Sequence, residues 1–235
     1  MSKLLVSDYD QTFYLNDEDI ENNKIYVNKF IDLGNLFVIA TGRSYLDFHN
    51  KLNIYKFNYN YAILNHGATI IDKNNKVLFN ICISNEIIPQ IQDDLNLNES
   101  INHFCCSGID SRVTFEQKDL TKINVRYSSK EYALNKAKFI NSKYEDYIKA
   151  YYVNTNSIEI ISNKTNKAEA IYWLIKFCNN VNKANTYAIG DSYSDMEMIR
   201  EFNGYCMEDS VLELKSIAIK ECTSVSNLIR EILNG

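Results

Sequence analysis

One proline, Pro89, occurs in 235 residues, while asparagine and lysine abound. We read this as a bias of overall composition and draw no function from it. The six cysteines (Cys82, Cys105, Cys106, Cys178, Cys206 and Cys222) stand at irregular spacings without a CxxC, which argues against a zinc site or a disulfide framework. The adjacent pair Cys105–Cys106 makes a poor redox couple, because neighbours on a strand point to opposite faces. No apolar run approaches the ~20 residues that span a bilayer, and the opening MSKLLVSDYD turns acidic too early for a signal peptide. A cytoplasmic protein with no membrane partner is expected. Lysine and arginine are dispersed among aspartate and glutamate at a net charge of -5, so no basic stripe offers a footprint for nucleic acid. Repeats and low-complexity linkers are also missing.

What is present is apolar material, 46% of the chain, enough for one large domain or two unequal ones. Four short runs, KLLVS (3–7), LFVIA (36–40), YAIL (61–64) and TYAIG (186–190), are apolar on consecutive residues, as in strands buried on both faces of a parallel sheet. Between the first two, Ile20, Tyr26, Val27, Phe30, Ile31 and Leu33 recur at helical spacing, and Gly34 stands where a helix would stop. This βαβ alternation returns with helices expected over 168–178 and 194–202. The middle of the chain differs. A helix over 86–95, strands at 101–107, 112–116 and 122–127, a helix over 130–144 and a hairpin over 147–161 turning near 154–156 suggest an antiparallel sheet covered on one side. The expected fold is therefore α/β: a Rossmann-like parallel core from 1–83 and 161–235, with an α+β module of 84–160 inserted.

Three strand ends carry the chemistry. The first run leads into Ser7-Asp8-Tyr9-Asp10-Gln11-Thr12, with two carboxylates two residues apart. In an open parallel sheet ligands gather beyond the carboxyl ends of the strands, and crowded carboxylates are relieved by a shared proton or a cation. A hard ion such as Mg2+ takes few carboxylates and keeps positions for water and phosphate oxygens. The second run leads into Thr41-Gly42-Arg43-Ser44, whose hydroxyl, open backbone and guanidinium suit a phosphate. The third leads into Gly190-Asp191-Ser192-Tyr193-Ser194-Asp195, another acidic pair. Each motif alone reads as a cap or a turn; their conjunction in chain order is harder to obtain from capping preferences.

Together DYDQT, ATGRS, a late lysine and GDSYSD resemble the ordered motifs of the haloacid dehalogenase superfamily. More narrowly, GNLFVIATGRSY, ILNHGATI and SIEIISNKTNKAEAI resemble blocks of its Cof-type phosphatases, whose C2B cap is inserted between the second and third motifs. The resemblance implies a Mg2+-dependent phosphatase acting on a small phosphorylated metabolite such as a sugar phosphate. Asp8 would attack phosphorus and Asp10 would act as acid and base. Thr12 would orient the loop or merely stabilise its turn. Thr41 and the Gly42 amide would hold phosphoryl oxygens. Lys167 would offset charge, with Lys164 as the fallback. Asp8, Asp191 and the Asp10 backbone carbonyl would bind Mg2+, with Asp195 behind them holding a metal-bound water or Lys167. Ser194 stands where many relatives have asparagine, which bears on a substrate contact. Arg43 is left between a phosphate or cap contact and a loop ion pair, and His66 between the mouth of the site and a tolerated loop position. His49 and His103 lack partners at ligand spacing. Two other readings remain: a phosphomannomutase-like sugar phosphotransferase, whose second phosphate would need basic groups such as Arg112, Lys118, Lys122 and Arg126, and a phosphate-ligand binding protein without turnover. A monomer or weak homodimer is expected.

Overall fold

The computed structural model describes residues 1–153 and 156–234. In chain order the first part holds β1 (Leu4–Ser7), α1 (Asp17–Asp32), β2 (Leu36–Ala40), α2 (Tyr45–Tyr55), β3 (Tyr61–Leu64), β4 (Thr69–Asp72) and β5 (Val77–Asn80). A middle part follows with α3 (Ile88–Asp94), β6 (Ser100–Ser107), β7 (Asp110–Val113), β8 (Lys122–Tyr127), α4 (Lys130–Lys143), β9 (Ile148–Val153) and β10 (Ser157–Ser162). The last part holds α5 (Lys167–Cys178), β11 (Thr186–Gly190), α6 (Met196–Glu201), β12 (Asn203–Met207), α7 (Leu212–Lys215), β13 (Lys220–Cys222) and α8 (Val225–Asn234).

The consecutive apolar runs are the centre of an eight-stranded sheet in the order β13-β12-β11-β1-β2-β3-β4-β5. From β13 to β3 all pairs are parallel. Each central strand is buried because both faces are covered. One face packs Ile20, Val27 and Phe30 of α1, Phe48 of α2 and Leu228 and Ile229 of α8; the other packs Ile171 and Leu174 of α5 and Met198 and Ile199 of α6. Helix α1 starts where the Asn16 side chain accepts from the backbone of Glu18 and Asp19, with three acidic residues in its first turn, a favourable pairing with the positive end of the helix dipole. It stops before Gly34, whose φ of +82° suits glycine. Strands β4 and β5 were not expected. They are antiparallel, since the short connection through 65–68 can close a hairpin but not a parallel crossover.

A second, five-stranded sheet in the order β7-β6-β8-β10-β9 is wholly antiparallel. Alternation along β8 sends Ile123, Val125 and Tyr127 into a core with Ile88 and Ile91 of α3 and Ala133, Ala137 and Ile140 of α4. Its opposite, helix-free face carries Lys122 and Asn124, and this face rests on the large sheet's loops. Contacts across the boundary include Leu46 N–H to Ser111 Oγ at 3.2 Å, Arg112 to Asp47 at 3.0 Å, and an ion pair between Lys149 and Glu197. The fold is thus the expected α/β core with an α+β cap. The strand expected at 112–116 instead spans 110–113: Arg112 takes φ +67° and the β6–β7 register shifts beside Cys105–Cys106, ending the pairing early. Of the expected hairpin turn, Asn154 and Thr155 lie outside the described residues; Asn156 has φ +58°. Cys105 and Cys106 are both buried and free. Among the described residues no helix is long and apolar enough to cross a membrane.

Candidate active site

The loop after β1 is anchored from below. Tyr9 and Phe13 are fully buried in the core, the Asp8 N–H donates to the Ile189 carbonyl at 2.9 Å, and Phe13 and Tyr14 N–H groups return to the carbonyls of Asp8 and Tyr9. Gln11, at φ +59°, makes the turn. The result fixes Asp8 at the strand end, 6% exposed, with Asp10 two residues on and half-buried.

Lys167 reaches this point from α5. The Asn166 side chain caps that helix by accepting from Glu169 N–H, so Lys167 opens the first turn. Its Nζ lies 2.5 Å from Asp8 Oδ1 and 2.6 Å from Asp195 Oδ1, and all three groups are buried. Lys164 is exposed and takes no part. Burial alone would favour a neutral amine, but Asp195 and Asp8 outweigh it and hold Lys167 charged. Asp8 is pushed well above the usual carboxylate range, chiefly by burial; Lys167 opposes this, and Asp195, Asp191 and Asp10 add to it. Asp191 is raised to about 6 by burial and by Asp195, against a hydrogen bond from Thr12 Oγ1 at 3.0 Å and the Lys167 charge.

One carboxylate oxygen each of Asp8, Asp191 and Asp195 lies within 4.8 Å of the others. Asp195 has no oxygen to spare: Oδ1 pairs with Lys167, and Oδ2 accepts from the Asp191 and Ser192 N–H groups and from Ser192 Oγ. The Asp10 carboxylate is likewise taken, but its backbone carbonyl accepts from no described N–H. Asp8 and Asp191 are therefore the carboxylates left to a cation, and their crowding with Asp195, which adds to the burial that raises both, is what a hard divalent ion would relieve. Ser194 Oγ lies 3.0 Å from Ser192 Oγ on the same loop. Gly190 is required there, since a Cβ on it would stand 2.5 Å from Asp195 Cγ. Neither His49 nor His103 joins the acidic cluster.

The loop after β2 completes the edge. Thr41 is buried, and its Oγ1 accepts from the Arg43 N–H at 3.2 Å. The Gly42 amide donates to no described residue. Of the alternatives left open for Arg43, the ion pair is found, and its partner is Asp10: Nε donates to Oδ2 at 2.8 Å and Nη2 to Oδ1 at 2.6 Å.

Sequence reasoning missed the cap's share. Lys122 Nζ donates to the Gly42 carbonyl at 2.6 Å and pairs with Glu159 Oε1 at 2.9 Å, while Glu159 Oε2 lies 2.6 Å from His66 Nε2. His66 is neither at an open mouth nor idle in a loop. It is 4% exposed, stacks on Tyr151 with centroids 4.7 Å apart, and abuts Gly42. No local pattern signalled this, since the φ of +56° at His66 is visible only in the structure. The four basic cap residues do not stand as a free cluster: Lys122 is matched by Glu159, Arg112 by Asp47, and Lys118 and Arg126 are exposed.

Comparison with known proteins bears on the fold and the family. The model of the haloacid dehalogenase-like hydrolase family matches residues 5–154 and 108–227. A candidate phosphatase of Buchnera aphidicola subsp. Baizongia pistaciae is 25% identical, the match covering 89% of this chain and 87% of that protein. Among solved structures, a HAD/COF-like hydrolase of Plasmodium vivax superposes with a TM-score of 0.83 at 16% identity, over 99% of this chain and 96% of that one. A haloacid dehalogenase-like hydrolase of B. subtilis gives 0.80 at 17%, over 98% and 99%. The chain belongs to the haloacid dehalogenase-like hydrolase family.

Proposed function

We propose that the protein is a Mg2+-dependent phosphatase that hydrolyses a small phosphorylated metabolite, such as a sugar phosphate, through an aspartyl phosphate on Asp8. The observation that carries this reading is Lys167 ion-paired at once to Asp8 and Asp195, beside Asp191, with Asp10 of the Asp8 loop gripped by Arg43 from the loop after β2. In the proposed division, residues 1–83 and 161–235 are the catalytic core and 84–160 the cap.

Asp8 attacks phosphorus with one carboxylate oxygen, and the leaving oxygen takes its proton from Asp10. Water then attacks the aspartyl phosphate, Asp10 accepts its proton, and phosphate departs with Asp8 regenerated. The buried Lys167 offsets negative charge on Asp8 and on the transferring group in both steps. Thr41 Oγ1 and the Gly42 amide hold phosphoryl oxygens, and Thr12 orients Asp191. Mg2+ bound by Asp8, Asp191 and the Asp10 carbonyl would supply charge neutralisation for the phosphoryl oxygens. The cap, closed, excludes bulk water.

Transfer to a sugar acceptor has less support, because Lys122 and Arg112 already meet carboxylates. A binding protein without turnover has little use for a buried lysine and three carboxylates. The test is a screen of phosphorylated metabolites with and without Mg2+, with Asp8→Asn as control. Mg2+-dependent release of phosphate that disappears in Asp8→Asn supports the reading; activity unchanged by that substitution removes Asp8 as nucleophile.

A further inference from the structure

Among the polar groups the mechanism proposed above leaves unused are Lys122 on β8 and His66 after β3, both buried, and Glu159 on β10, largely so. They form one connected set. Lys122, 1% exposed, donates to the Gly42 carbonyl and pairs with Glu159. Glu159 also accepts from Asn124 Nδ2 at 3.0 Å and meets His66 Nε2. A buried lysine–glutamate pair is weak evidence for stability, since apolar side chains of similar volume often serve as well. Its position explains more than its energy.

The Gly42 carbonyl and the Arg43 N–H are two ends of one peptide group. The cap holds the oxygen end through Lys122 at 2.6 Å, and Thr41 Oγ1 accepts from the nitrogen end at 3.2 Å. The flanking backbone is laced to the next loop, where Asn65 N–H donates to the Arg43 carbonyl at 3.0 Å and His66 N–H to the Thr41 carbonyl at 3.1 Å. From this peptide the Arg43 side chain reaches both oxygens of Asp10. On the core side His66 is held at φ +56°, a left-handed conformation that a histidine keeps only where its surroundings enforce it. Its ring abuts Gly42, where a Cβ would approach to 2.4 Å. An unbroken series of contacts thus runs from the cap sheet to Asp10.

We propose that Lys122 and Glu159 are positioning residues through which the closed cap sets the Gly42–Arg43 peptide, and with it the hold of Arg43 on Asp10. His66 is the core residue against which Glu159 is braced. The proposal rests on the phosphatase reading for the role of Asp10, but the linkage from Lys122 to the 41–43 loop can be measured without it.

The experiment compares wild type, Lys122→Met and the near-isosteric Glu159→Gln. One arm reads kcat and KM toward p-nitrophenyl phosphate with Mg2+. The other reads amide hydrogen exchange of segment 41–47 by mass spectrometry, with α4 as an internal reference for an intact fold. Small misplacements of a reacting group cost up to about 100-fold, so kcat should fall about tenfold or more in both variants while KM moves less than about threefold. Exchange in 41–47 should quicken while that of α4 stays unchanged. An unchanged kcat in an active enzyme, a loss confined to KM, or unchanged exchange in 41–47 would overturn the proposal. If wild type turns over neither p-nitrophenyl phosphate nor any metabolite of the screen, the phosphatase reading fails, and the exchange arm alone decides whether Lys122 fixes the loop.

Discussion

Arg43 holds Asp10 by both carboxylate oxygens, at 2.8 and 2.6 Å. A fork of this kind constrains direction as well as distance, which a lysine at the same position could not do. With Asp10 as the acid–base group, Arg43→Lys should lower kcat while leaving the fold intact, and Arg43→Ala should lower it further. General acid–base catalysis contributes about 100- to 10,000-fold, so a loss of about tenfold for lysine and more for alanine is expected. Steady-state kinetics with a thermal melt of each variant checks this; equal kcat for arginine and lysine would remove the positional argument.

Lys167 is the counter-charge for two buried carboxylates, so deleting it should cost stability as well as activity. Removing one partner of a buried pair costs about 3–5 kcal/mol because the remaining charge is stranded. Lys167→Met should therefore shift the urea unfolding midpoint strongly downward at neutral pH. Lys164→Met, an exposed position, should leave it nearly unchanged. A small effect at Lys167 would mean that water enters the cluster.

The two lysines also show where sequence reasoning ends. Asp8, Asp10, Thr41, Asp191 and Asp195 could be placed because each follows a run of consecutive apolar residues, and such runs mark strands whose ends share one edge. Lys167 and Lys164 lie three residues apart, and only the Asn166 cap, which starts the helix at 167, separates the buried one from the exposed one. Lys122, Glu159 and His66 were illegible as a set. Their contacts join positions 37, 80 and 93 residues apart, and no local periodicity encodes how the cap sheet docks on the core. The early end of β7 was hidden for a related reason, since the left-handed turn at Arg112 leaves no mark in an apolar–polar pattern.

The same set makes a pH prediction. Burial would raise the Glu159 carboxyl, but Lys122 and the hydrogen bond and charge of His66 outweigh it and hold it well below its ordinary 4.5. A depressed carboxyl contributes stability that is fully present above its unfolded value and is lost as pH falls through its folded one. His66 is pushed below its ordinary 6.5, chiefly by burial against the pull of Glu159, and so also disfavours the folded state as the solution is acidified. The stability difference between wild type and Glu159→Gln should therefore persist from neutral pH down to about pH 4.5 and shrink below it. Urea midpoints measured across that range test it; a difference that grows as the pH falls below about 4.5 has the wrong sign.

Gly190 supplies a steric test of the acidic cluster. A methyl group there would stand 2.5 Å from Asp195 Cγ and 2.6 Å from its Cβ. Asp195 cannot simply swing aside, because one oxygen pairs with Lys167 and the other takes the Asp191 and Ser192 N–H groups and the Ser192 hydroxyl. Relief must come from the loop 190–195 moving as a whole, which carries Asp191 away from Asp8 and loosens Lys167. Forcing one methyl into a packed site costs about 1–3 kcal/mol, so Gly190→Ala should lower stability by that order. Because Asp191 is an expected cation ligand, it should also weaken Mg2+ binding, read by titration calorimetry on folded protein. Gly34→Ala, where a Cβ meets nothing within 4 Å but φ is +82°, should cost stability through backbone strain alone and leave Mg2+ affinity as in wild type. Equal Mg2+ affinity in both variants would show that the 190–195 loop tolerates displacement, and that the donor set does not depend on the position of Asp195.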